Sequence, residues 1–111
     1  ELKDVLYIGV DGLEAKHPFY AQAVAAHRKL AVGQKVTLAF DAVRVNAEGQ
    51  TVAYVYLAGQ EQDVNGQLNA KVIGDGLGRV GNFEGNTQYR MFFENLGFIA
   101  SEGKKGLYAT P

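Results

Sequence analysis

The stretch Thr51–Leu57, "TVAYVYL", constrains the fold of this chain more than any other segment. Its residues are mostly β-branched or aromatic, the types that fit a pleated and covered surface. Ahead of it lies "NAEGQ", a polar turn with a glycine, Asn46–Gln50. Ahead of that turn, Val36, Leu38 and Phe40 alternate with Lys35, Thr37 and Ala39, the period of a half-buried strand. A second short alternation runs over Val43–Val45. Extended runs on both sides of a polar, glycine-bearing turn predict a hairpin.

The rest of the chain builds around that hairpin. Residues Val5–Val10 are rich in β-branched and aromatic types and are bounded by Asp4 and by Asp11-Gly12, which predicts one strand. Pro18 suits the first position of a helix. Behind it Phe19, Ala23, Ala26 and Leu30 recur at helical spacing until Gly33 supplies a stop. Val64, Leu68 and Val72 predict a short amphipathic helix ending near Gly74, with Gly66 a weak point inside it. Glycine is dense from Gly74 to Gly85, which predicts loop. The last helix carries the clearest pattern, with Tyr89, Phe92, Phe93, Leu96, Ile99 and Ala100 on one face and Gly103 and Gly106 closing it before the tail "LYATP". Strands early, with helices between and after them, make an α+β chain.

At 111 residues, without a repeat or a linker, the chain is expected to be a single domain over 1–111. Nearly half its residues are apolar, enough for one core. A formal net charge of −1 excludes an overall positive field that would pull the chain onto nucleic acid or an anionic membrane. The absence of cysteine removes disulfides, thiolate catalysis and zinc–thiolate sites, and assigns no compartment. No apolar run approaches the roughly 18–20 residues that span a bilayer, and "ELKDVLYIGV" is not a signal peptide. The chain therefore reads as a soluble domain, whole or trimmed.

Two motifs carry chemical promise. Gly76–Gly81, "GLGRVG", matches the dinucleotide-binding glycine pattern, but that mechanism needs a strand before it and a helix N-terminus after it. Here a helix-like segment precedes it and Asn82–Gly85 opens no helix, so a flexible loop is the better reading. The second motif is Ile8–Pro18, "IGVDGLEAKHP", where an apolar run ends on Asp11 and Glu14 follows three residues later. The pair fits either a turn aspartate beside a solvated glutamate or a cation site with a general base.

Taken in order, the segments resemble the staphylococcal nuclease (thermonuclease-like) family. "YIGVDGLEAKHP" is similar to that family's strand followed by Val-Asp-Thr-Pro-Glu and Lys-His-Pro. "VTLAFD", "GQTVAYVY", "DVNGQLNAKVIGDGLGRV" and "GKKGLY" follow in the family's sequence across nearly the whole chain. The resemblance implies a five-stranded Greek-key barrel of the OB type with about three packed helices. It also implies a hairpin ahead of the first strand, roughly 12–15 residues that are missing before Glu1. An open barrel would leave an unpaired edge, and with it an opening for self-association or strand exchange.

Active members of the family hydrolyse DNA or RNA phosphodiesters with Ca2+. By resemblance, Asp11 matches the metal aspartate at the strand end, Gly12 offers its carbonyl to the same cation, and Glu14 matches the general base. The family's two arginines fall on Leu6 and Gln50, which carry no charge. Removing one oriented donor costs about 10²–10³ in rate, and an arginine on a phosphoryl group about 10³–10⁵. Lys16 and Arg44 are candidate replacement cations, weighed against plain surface charge. His17 is expected to punctuate the helix start, and His27 lies near the edge of the helix's apolar face.

Three functional classes follow. The first is a thermonuclease-like domain with a decayed site, serving as a binding or interaction module. Gln50, Tyr54 and Tyr56 are its candidate substrate contacts, single-stranded nucleic acid its candidate weak partner, and barrel packing the competing role of the tyrosines. The second is a divergent Ca2+-dependent nuclease. The third is an assembly domain that pairs through the open barrel edge.

Overall fold

The computed structural model describes residues 5–109. The predicted hairpin supplies two of the three strands of the larger sheet. Val36–Ala39 (β3) runs antiparallel to Thr51–Leu57 (β4), with Val36 opposite Leu57 and Ala39 opposite Tyr54. Val45 bridges Thr51 at the turn, so the arm at Val43–Val45 pairs at a single point. Asn46 organises that turn: its Oδ1 accepts the N–H groups of Glu48 and Gln50, at 3.1 and 2.9 Å. Gly49 takes φ +80°, a conformation open to glycine and costly for other residues.

Val5–Tyr7 (β1) lies parallel to β4, giving the order β1-β4-β3. A separate pair joins Val10–Asp11 (β2) to Arg79–Val80 (β5), antiparallel, with Asp11 opposite Arg79. Two expectations are corrected here. The strand expected over Val5–Val10 is interrupted at Ile8-Gly9, because Gly9 takes φ +81° and Phe93 lies where its Cβ would stand. The loop expected over Gly74–Gly85 contains β5, a strand too short for any period to announce. Asp4, expected to bound the first strand, and Thr110–Pro111 of the tail lie outside the described residues. No strand covers the outer edge of β1 or of β3 among the described residues.

Three α-helices pack around these strands, at Tyr20–Ala31 (α1), Leu68–Gly74 (α2) and Arg90–Glu102 (α3). Helix α1 begins after Pro18, not on it: His17 Nδ1 accepts the Phe19 N–H at 3.0 Å, and Phe19 is the cap. His17 thus marks the helix start, and Pro18 and Phe19 belong to the turn before it. The helix predicted from Val64 is split at Gln67 into a 3-10 turn, Val64–Gly66, and α2. Asp63 caps the 3-10 turn by accepting the Asn65 N–H at 2.9 Å. Helix α2 is almost wholly covered, with Leu68, Asn69, Ala70, Val72 and Ile73 all buried.

The core gathers Ile8, Val52, Tyr54, Tyr56, Ala70, Ile73 and Phe93 between sheet, α2 and α3. Asn69, fully buried, ties the layers together. Its Oδ1 accepts the Val55 N–H at 2.8 Å, and its Nδ2 donates to the carbonyls of Ile8 and Ala53. On α3 the buried positions are Phe93, Gly97 and Ala100. Phe92 and Ile99, expected on the inner face, are exposed instead. Gly97 explains the rotation: a Cβ there would strike Val80, so its bare backbone lets α3 approach β5 along that line. No described helix is long and apolar enough to cross a membrane.

Candidate functional site

Strand β2 delivers Asp11 to solvent at its end, and the turn after it carries Gly12, Leu13 and Glu14. Opposite Asp11 the register of β5 places Arg79. The Arg79 guanidinium reaches across to Glu14, Nη1 to Oε1 at 3.4 Å. Asp11 lies over Gly81, where a Cβ would come within 3.6 Å of the Asp11 Cβ. Two carboxylates, one guanidinium and a bare stretch of backbone therefore share one exposed corner.

The electrostatics of that corner are set by hydrogen bonding in solvent. Glu14's pKa is lowered, first by its own backbone N–H and then by the Arg79 side chain. A carboxylate so lowered holds protons less well and is a weaker base. Calcium takes six to eight oxygen ligands, usually several of them carboxylate. No cluster of three or more acidic, His or Cys side chains suited to a metal exists among the described residues. Among the described residues Asp11, Gly12 and Glu14 supply fewer oxygens than the usual calcium shell, and Glu14 is also engaged by Arg79.

Leu6 and Gln50, where the resemblance expects arginine, have other occupations. Leu6 lines an open apolar cavity of ≈ 490 Å³ between β1, α1 and α2, together with Leu13, Val24 and Val72. Gln50 Oε1 accepts from Asn46 Nδ2 at 3.0 Å, inside the hairpin turn. Neither brings a donor to the Asp11–Glu14 corner.

Tyr54 and Tyr56, weighed above as stacking residues, are core members, 1% and 6% exposed. Tyr54 sits edge-on to Tyr89 and donates its hydroxyl to Asp41 at 2.7 Å. Burial and the Asp41 carboxylate both push the Tyr54 hydroxyl's pKa up. Tyr56 shares its hydroxyl with Tyr89 and accepts from Gln67 Nε2 at 3.0 Å. Such polar tips on apolar bodies fix ring positions from within a core.

Of the other cations, Arg44 stacks on the ring of Phe40, 4.1 Å from its centre. Lys16 lies exposed in the turn ahead of α1. His27 forms the polar spot of the cavity wall, its Nε2 2.7 Å from the Tyr7 hydroxyl. Burial lowers the His27 pKa and pushes Tyr7 up to about 12.

Arg79 is the residue that sequence reasoning missed. It lies within "GLGRVG", set aside as loop, and only the register of β5 on β2 carries it to Glu14. No sequence signal marked it, because two residues between glycines become a strand only on pairing with Val10-Asp11.

The family model described as staphylococcal nuclease homologue matches residues 4–110, nearly the entire chain. No curated protein matches the sequence.

Proposed function

The chain belongs to the family of staphylococcal nuclease homologues, and from that premise we propose that it is a binding or interaction domain whose nuclease site has decayed. The observation that carries this reading is the Glu14–Arg79 contact at 3.4 Å beside a carboxylate pair without further acidic ligands among the described residues. Hydrolysis of a phosphodiester needs a free base and positive charge aimed where the transition state becomes anionic. Here the base position is occupied by an ion pair, and the two expected arginine positions belong to an apolar cavity and a hairpin turn.

Weak binding of single-stranded nucleic acid is the partner chemistry this reading retains. Its support is the family itself, together with the exposed guanidinium of Arg79 and the stacked Phe40–Arg44 pair. A net charge of −1 limits such binding to a local patch and makes it sensitive to salt. Fluorescence anisotropy of a labelled oligothymidine at low and at physiological salt measures this. Weak binding that fades with salt and weakens in Arg79→Gln is the expected result; no binding at low salt contradicts a nucleic-acid partner.

A second reading, residual hydrolysis, draws on Arg79 alone. Its guanidinium stands within reach of a phosphate held at Glu14, a cation supplied by β5 in place of the two that are missing. The third, assembly through the open barrel edge, draws on the outer edge of β1, which no strand covers among the described residues.

A further inference from the structure

Helix α3 turns an apolar face away from the core. Among its residues Met91 is 84% exposed, Phe98 64%, Ile99 51% and Phe92 36%. Soluble proteins rarely leave such a contiguous stripe uncovered without a partner for it. Their positions relative to Asn95 are symmetric: Phe92 and Phe98 lie three residues to either side, Met91 and Ile99 four. The stripe therefore reads the same in both directions along the helix.

Such a pattern is self-complementary. If a second α3 crosses antiparallel at Asn95, its Phe98 falls on Phe92 and its Ile99 on Met91, and the reverse contacts form at once. That reciprocity is the requirement of an isologous interface. Beside Phe92 lies a groove of ≈ 150 Å³, walled by Leu96, Val64 and Ala70, with room for one large side chain. Phe98 projects from the same helix as the matching knob, without a ring neighbour of its own among the described residues. At the centre, the Asn95 amide offers both a donor and an acceptor, so two copies satisfy each other and fix the register. On the flank Arg90 and Glu94 neutralise each other at 3.0 Å, Glu102 lies at the end of the stripe, and the net charge is small.

We propose that the outer face of α3 is the contact surface for a second copy of this chain, crossing antiparallel about Asn95. A one-helix patch lies at the small end of interface sizes, so the dimer is weak and concentration-dependent. The surface is independent of the Asp11–Glu14 corner and of the β1 edge.

Sedimentation velocity over a range of roughly 1 μM to 1 mM tests it. The expected result is a monomer–dimer equilibrium that Phe98→Glu, at an exposed position, weakens by about a hundredfold or more. Because the chain has no cysteine, Asn95→Cys supplies a single reporter, and oxidation should trap a disulfide-linked dimer. Val24→Cys, in the cavity beside β1, should not cross-link. A monomer at every concentration, a dimer indifferent to Phe98→Glu, or cross-linking through Val24→Cys in preference to Asn95→Cys would overturn the proposal.

Discussion

Glu14 and His27 show how differently two titratable residues behave in and out of solvent. Glu14 is exposed, and its ion pair with Arg79 is of the exposed kind that contributes little to stability. Its consequence is chemical, because a paired and lowered carboxylate makes a poor base. His27 is half-buried against Tyr7, and burial lowers its pKa from 6.5. Unfolding exposes the ring and takes up a proton between the lowered value and 6.5, so the unfolded state binds more protons there. The contribution of the neutral ring is complete above 6.5 and is lost as pH falls through the lowered value. The urea midpoint should therefore decline as pH falls below 6.5. His27→Gln should flatten that decline while keeping a hydrogen-bonding group for the Tyr7 hydroxyl. An unchanged slope in the variant would remove His27 as its cause.

The elements divide according to where their shape comes from. β3 and β4 were legible because alternation and a polar turn specify a hairpin locally. β5 was not, because its two residues become a strand only by pairing with β2. For α3 the period located a helix but misplaced its inner face, since a glycine adds nothing to an apolar pattern. Gly97 nevertheless sets the line of closest approach to Val80. Gly9 plays a similar part between β1 and β2. Gly9→Ala would impose a left-handed conformation and drive a methyl group into Phe93, at about 2–5 kcal/mol. Asn69→Ala would leave the Val55 N–H and the Ile8 carbonyl buried without their bonds, while the Ala53 carbonyl keeps the Ile8 N–H, at about 2–4 kcal/mol. Urea denaturation reads both. A loss under 1 kcal/mol, roughly the scale of an ordinary surface change, would show that the sheet relaxes around the substitution.

At the scale of the whole molecule, the α+β arrangement and the family were legible in the order of short marks along the chain. The candidate site was legible only in part. Asp11 and Glu14 stand together in sequence, whereas Arg79 reaches them through tertiary pairing, 65 positions from Glu14. Leu6 and Gln50 are informative for what they do in this fold: one widens an apolar cavity, the other closes a turn. Among the described residues the Asp11–Glu14 corner therefore holds one guanidinium, that of Arg79. The most direct measurement is cleavage of a labelled single-stranded DNA under single-turnover conditions with Ca2+ in excess, comparing the native chain with Glu14→Gln. The account predicts no cleavage above buffer for either protein. Calcium-dependent cleavage by the native chain that disappears in Glu14→Gln would contradict it.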